Sequence, residues 1–294
     1  VIQVTILCDP KLVDPLGDFL VGMMNMAVEL KVKDSQTASH INGFYAQDYI
    51  SEHDQGTVKA KIRRFAVEMS DIFDCQAPII SVQKVRNQDW SENWKQFFKP
   101  FELVPGLIVV PSWEAFSSEE GKQVIIMDPG MAFGTGHHAT TKLCLMMMKD
   151  STEIFNNRTV LDVGTGTGIL AMASILWGAS EAQAIDNDPV AVKVAKENVL
   201  RNKLNDRVDI SGTGLETITG RFPLVVANII HDTLVSLAGN LSNRVEEKGH
   251  LILSGLVHGA QTDNIIKCFE TRNFQVAGIL QEEEWGALKL IKNS

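Results

Sequence analysis

The sequence predicts an α/β chain: a mainly parallel sheet with helices on both faces, ended by an antiparallel hairpin, behind a smaller α+β domain. Three observations carry that reading. From Lys122 onward strand-like and helix-like stretches alternate, and repeated β-α units predict a parallel sheet. A glycine-rich turn, Gly164-Thr-Gly-Thr-Gly168, falls between the strand-like Val160–Val163 and the helix-like Ile169-Leu-Ala-Met-Ala173. Residues 1–86 instead read β-α-β-β-α-β. At 294 residues, two domains fit better than one.

In the first domain, Val1–Leu7 reads as a strand, Pro10–Met24 as a helix, and Ala27–Lys33 as a strand with Val28, Leu30 and Val32 on one face. Ile41–Ile50 is its hairpin partner. Gly56–Cys75 is amphipathic, with Val58, Ile62, Phe65, Met69, Ile72 and Phe73 at helical spacing. Pro78–Val85 closes the unit as a strand carrying Ile80 and Val82, which makes residues 1–86 a ferredoxin-like split unit.

Residues 87–116 change character. Trp90, Trp94 and Phe97 recur at spacings of four and three, which gathers them on one helical face. Pro100 ends that helix and Pro105-Gly106 marks a turn. A linker helix docked between domains and an aromatic stripe packed on its own domain both fit. In residues 117–294, strands are expected at Val124–Met127, Thr159–Val163, Ala182–Asp186, Val208–Ile210, Leu224–Asn228, Leu251–Ser254, Phe274–Leu280 and Ala287–Ile291. Helices are expected at Thr140–Lys149, Gly168–Trp177, Pro189–Asn202, Asp232–Val245 and Gly259–Thr271. The last two strands have no helix between them and form the edge hairpin.

A chain that is 45% hydrophobic and 21% charged buries an ordinary core. Its net charge of −9 argues against an extended basic footprint for nucleic acid and suits a basic protein partner. Cys8, Cys75, Cys144 and Cys268 lie far apart without a C-x-x-C pair, so reduced thiols in a cytoplasmic protein are expected, with no zinc site. No apolar run reaches the roughly 20 residues that span a bilayer. Val1–Leu7 alternates too early for a signal peptide.

Three segments can carry chemistry. Gly164, Gly166 and Gly168 make G-x-G-x-G where a dinucleotide site wants G-x-G-x-x-G, and Ile169 takes the place of the third glycine. That spacing favours a nucleoside cofactor with no pyrophosphate to cradle, S-adenosylmethionine foremost, lying at the N-terminus of the next helix. Asp162 either accepts turn amides or holds the cofactor's amine. Asp186, 22 residues after Gly164, ends the next strand, where a carboxylate accepts from both hydroxyls of a ribose. Asp188-Pro189 reads as a helix cap.

The second segment, Asp128–Thr141, is glycine-rich and lies between a strand and a helix. Gly130, Gly134 and Gly136 permit unusual backbone angles, so the stretch including Phe133 and Gly134 either folds over the cofactor or simply connects. The adjacent His137 and His138 point apart, which disfavours a metal clamp. The third segment is Asn228-Ile-Ile-His231. Asn228 ends a wound strand and faces a ligand there. Its amide oxygen can accept from an incoming amine, while His231 reads as a base or as a helix start.

In this order the three segments resemble the bacterial ribosomal protein L11 methyltransferase family. The similarity is strongest in Asp89–Pro100, Asp128–Thr141, Val160–Leu170, Ala227–Ile230 and Glu283-Glu-Trp-Gly286. The resemblance implies a class I Rossmann-like methyltransferase sheet and S-adenosylmethionine as cofactor. It matches Thr141, Gly164, Asp186 and Asn228 to cofactor-contacting positions. Phe133, Gly134, Asp162 and Gly166 complete that expected set, and Asn228 and His138 are the expected catalytic residues. The first domain corresponds to substrate recognition and the tryptophan segment to an interdomain helix. One departure stands out: the family's Gly-Thr-Gly-Thr-His-Pro-Thr-Thr is here Gly134-Thr-Gly-His-His-Ala-Thr-Thr141. Losing the proline frees the backbone at Ala139.

The implied reaction is an in-line displacement by a neutral lysine amine of L11, the N-terminal amine being a further acceptor. A lysine has an ordinary pKa of about 10.4, so desolvation and a nearby sulfonium must favour its neutral form. The expected protein is a cytoplasmic monomer with no membrane attachment and no direct nucleic-acid specificity. A nucleic-acid amino-methyltransferase acting on rRNA is a rival. Such enzymes often carry Asn-Pro-Pro-aromatic, which helps build a slot for a planar base, where this chain has Asn228-Ile-Ile-His231. A non-catalytic ribosome-binding protein with a relic pocket is the other.

Overall fold

Alternation of apolar and polar residues builds the first sheet. In the computed structural model, which describes residues 2–20, 24, 26–31, 39–45, 52–84, 99–117, 121–128 and 138–294, strand β1 (Ile2–Cys8) buries Ile2, Val4, Ile6 and Cys8. Gln3, Thr5 and Leu7 point to the other face, as the two-residue period of a strand requires. A 3-10 turn at Pro10–Leu12, capped by Asp9, leads into α1 (Val13–Asp18), where the sequence predicted one helix over Pro10–Met24. After β2 (Ala27–Lys31) and β3 (Ser39–Tyr45) come α2 (Glu52–Ile72) and β4 (Ile79–Lys84). The four strands pair antiparallel in the order β2-β3-β1-β4.

Helix α2 buries Ile62, Phe65, Ala66 and Met69, and Phe65 stacks on Phe19 with ring centroids 4.0 Å apart. Ile72, expected on that buried face, is 44% exposed. It is the last residue of the helix, just before the chain leaves helical geometry at Asp74, whose φ is +49°. Trp90, Trp94 and Phe97, the expected interdomain helix, lie outside the described residues.

The chain divides into compact units Val1–Phe98 and Lys99–Ser294. The second opens with β5 (Phe101–Val104), β6 (Leu107–Val110) and β7 (Gln123–Ile126), which form a sheet of their own. Strand Val124–Met127, expected in the wound sheet, thus pairs parallel with β6 instead. All four residues of β6 are buried.

The main sheet follows from strands that alternate with helices. In chain order these are α3 (Ala139–Lys149), α4 (Thr152–Phe155), β8 (Thr159–Val163), α5 (Ile169–Leu176), β9 (Glu181–Ile185), α6 (Pro189–Arg201), β10 (Val208–Ser211) and β11 (Phe222–Asn228). There follow α7 (His231–Arg244), β12 (Val245–Val257), α8 (Ala260–Glu270), β13 (Phe274–Glu282) and β14 (Trp285–Lys292). The seven strands lie in the order β10-β9-β8-β11-β12-β14-β13. The first five pair parallel, and β14 and β13 are antiparallel, the expected edge hairpin.

Ile169 to Ile175 of α5 are all buried, as a helix apolar on every side must be. Phe269 is fully buried among Leu234, Leu251, Leu253 and Leu288; burying such a ring contributes about 1.5–3 kcal/mol. Strand order reverses direction at β8, between β9 and β11. In open α/β sheets, the carboxyl ends of strands beside such a switch form the ligand crevice.

Candidate active site

The glycine turn is held from below. Gly164 and Thr165 donate their amides to the Ile185 carbonyl at 2.8 and 3.0 Å. Gly164 has φ +75°, and a Cβ there would lie 2.3 Å from Ile229 Cγ2, so side chain and backbone angle both demand glycine. Gly166 donates its amide to Asp186 Oδ2 at 2.9 Å, while Asp188 donates to Asp186 Oδ1 at 2.9 Å. Each Asp186 oxygen retains acceptor capacity toward a hydroxyl. Asp188 accepts from Val190 N and caps α6 with Pro189 in its first turn, as the sequence indicated.

Asp162 is fully buried. Its Oδ2 accepts from Thr165 Oγ1 at 2.6 Å and Ala171 N at 3.2 Å, while Oδ1 has no partner among the described residues. Burial pushes its carboxyl up from 3.8 to about 7, opposed by those two hydrogen bonds and assisted by Asp186. A carboxyl raised on folding loses its proton first in the unfolded chain. Its contribution to stability is therefore complete below about pH 4 and lost as pH rises through about 7. Asp162→Asn should escape that loss: in urea unfolding without donor, the variant gains on the parent between about pH 4 and about pH 7. A stability difference flat across that window would remove the assignment.

Asn228 ends β11 and is 4% exposed. Its Nδ2 donates to Thr141 Oγ1 at 3.3 Å, while its Oδ1 has no partner among the described residues. A buried, unbonded amide oxygen is costly unless something supplies an N–H or O–H. Thr141 lies in the first turn of α3, whose cap is His138. The Thr140 amide reaches His138 Nδ1 at 3.3 Å and the Thr140 hydroxyl lies 2.7 Å from it. Because an amide only donates, Nδ1 is the acceptor and Nε2 carries the proton. Burial lowers the His138 pKa to about 4, so the ring is neutral at pH 7.

The same ring meets Trp285 edge-on at 4.6 Å. Trp285 is 4% exposed, and its Nε1 has no partner among the described residues. It begins β14, which runs against β12 and so starts at the ligand end of the sheet. Its site position depends on hairpin direction, so only topology could have suggested it. His231 starts α7 with ring nitrogens 3.1 Å from Asp232 and 3.0 Å from Asn264, which is the helix-start alternative. Phe133 and Gly134 lie outside the described residues.

The structure thus joins Gly164, Gly166 and Asp186 in one hydrogen-bonded turn, with Asp162 beneath it, and brings Thr141 to Asn228. Among the described residues no group of three His, Cys, Asp or Glu side chains could hold a metal, and no helix is long and apolar enough to cross a membrane.

A family model described as ribosomal protein L11 methyltransferase (PrmA) matches residues 1–293. A protein of that name from Desulfotalea psychrophila is 43% identical over 292 residues, which cover 99% of this chain and 97% of the relative. One from Geobacter sulfurreducens is 37% identical, over 94% and 93% of the two chains. The crystal structure of ribosomal protein L11 methylase from Lactobacillus delbrueckii subsp. bulgaricus superimposes with a TM-score of 0.61 at 31% identity, covering 67% of this chain and all of that one. With the wound sheet, the glycine turn and the Asn228–Thr141 pair in place, the chain belongs to the ribosomal protein L11 methyltransferase family.

Proposed function

We propose that this chain transfers methyl groups from S-adenosylmethionine to amines of ribosomal protein L11, lysine side chains foremost and the N-terminal amine as a further acceptor. The observation that carries the amine assignment is the buried Asn228 amide oxygen without a partner among the described residues. The residues present fit the donor: Asp162 Oδ1 is likewise unpartnered, and both Asp186 oxygens keep acceptor capacity beside the glycine turn. When bound, S-adenosylmethionine supplies an electrophilic methyl group on a positively charged sulfur.

The protein's part is binding, orientation and desolvation. Asp186 accepts from the ribose hydroxyls, Asp162 faces the donor's amine, and Gly164 and Gly166 let the turn approach closely. Thr141 fixes the Asn228 amide by accepting from Nδ2, so that Oδ1 accepts one N–H of the incoming amine and aims its lone pair. Burial disfavours the ammonium form of that amine. His138 stays neutral and holds the start of α3 and the wall beside Trp285, a positioning part in catalysis. Phe133 and Gly134 complete the donor-binding set.

Residues 1–86 form the recognition domain, ferredoxin-like by their βαββαβ order. The linker expected over residues 87–116 narrows to residues 87–98, and the catalytic domain takes in the whole compact unit Lys99–Ser294, β5 and β6 included. The protein works as a cytoplasmic monomer without direct nucleic-acid specificity. Incubation with methyl-labelled donor and purified L11 or rRNA tests the reading. Label should enter L11 and appear in methylated lysine after hydrolysis; label in RNA alone would overturn it.

A further inference from the structure

Helix α6 reaches both glycine-rich segments through its final turns. Asn198, 2% exposed, donates Nδ2 to the Thr167 carbonyl inside the glycine turn at 3.0 Å. Arg201 donates Nη1 to Asn198 Oδ1 at 3.0 Å, and its Nη2 lies 3.2 Å from Asp128 Oδ2. Asn202 donates Nδ2 to the Ile126 carbonyl at 2.7 Å and accepts from the Ile126 amide at 2.8 Å. Asp128 also accepts from the Ser112 amide at 2.6 Å and hydroxyl at 2.8 Å. The chain leaves Asp128 directly into Pro129–His137.

We propose that Arg201 is a positioning residue for donor binding: it ties Asp128, where the Pro129–His137 segment departs, to Asn198 and so to the glycine turn. This rests on the functional reading above. The guanidinium is suited to the task because its planar fork addresses two separate acceptors at once. Lysine, a point charge on a flexible stem, lacks that fixed fork. Both partners of the ion pair are about one-third exposed, so solvent screening limits the coupling. A moderate effect on donor affinity follows, not a collapse of the fold.

The test is a double-mutant cycle on the full chain, with Arg201→Met, Asp128→Asn and their combination, plus Arg201→Lys. The readouts are calorimetric Kd for S-adenosylmethionine, Tm, and separate KM values for donor and L11. Arg201→Met should raise donor Kd and donor KM about five- to tenfold with KM for L11 unchanged. Arg201→Lys should recover less than half of that loss, and the double variant should lose no more than the worse single. Donor Kd within about twofold of the parent, or strictly additive losses, would overturn the proposal. If the parent binds donor but leaves L11 unlabelled, the substrate reading fails instead, and the Kd cycle still decides the part of Arg201.

Discussion

Asn228→Ala should lower kcat on ribosomal protein L11 by about a hundredfold, since loss of orientation at the reacting atoms costs about that much. Donor Kd should move by less than about fivefold, one neutral hydrogen bond being worth about 1 kcal/mol. The reason lies in how the side chain is held. Its Nδ2 is committed to Thr141 Oγ1 and its Oδ1 is buried without a partner among the described residues, so the free acceptor has one direction. Asn228→Asp is the sharper companion. A carboxylate of nearly the same shape favours the ammonium over the neutral amine, so the pH–rate profile should move upward. Single-turnover rates across pH read both effects. A kcat within about threefold of the parent in Asn228→Ala would leave the amide without a part in the chemistry.

Asp186→Ala should raise the Kd for S-adenosylmethionine by about a hundredfold, because charge-assisted hydrogen bonds contribute about 1.5–3 kcal/mol each. The carboxylate also accepts from Gly166 N and Asp188 N, so its removal loosens the glycine turn as well. Asp186→Asn separates the two contributions. It keeps one of the two oxygens that accept from the turn, so it should lower Tm by less than Asp186→Ala does while still losing more than about tenfold in affinity. Calorimetric titration and thermal unfolding on the same samples decide it. Unchanged affinity in Asp186→Ala would remove the ribose assignment.

Legibility of the fold divides by the range of the forces involved. Strand β8, its glycine turn and helix α5 were readable because each is a local pattern: an apolar run, glycines at positive φ, an all-apolar helix. Asp188-Pro189 capped α6 as expected for the same reason, the cap being a contact two residues long. The edge hairpin was readable from a missing helix. By contrast, nothing local in Leu107–Val110 marks it as a strand, since four apolar residues show no period that separates strand from helix. Its place, and with it the removal of Val124–Met127 from the main sheet, was decided by pairing. Strand β12 runs from Val245 to Val257 where only Leu251–Ser254 stood out, because pairing with β11 and β14 extends it past its most apolar stretch.

The site divides likewise. The places of Asp162, Gly164, Asp186 and Asn228 at strand ends and in the glycine turn were legible because apolar runs show where the strands of a wound sheet stop. The relay from Asn198 through Arg201 to Asp128 was invisible, since polar residues near a helix C-terminus ordinarily face solvent. The same holds for Trp285 against His138, which are joined only because β14 runs antiparallel.

By itself, then, the sequence determined the order of elements in the wound sheet, the glycine turn and which residues end the strands beside it. These follow from backbone angles and periodicity, which neighbouring residues set. Only the tertiary structure decided which oxygens are buried and left to accept, that Thr141 orients Asn228, and that burial holds Asp162 near 7 and keeps His138 neutral. Desolvation and hydrogen-bond partnership depend on atoms brought together from distant parts of the chain, and those distances exist only once it has folded.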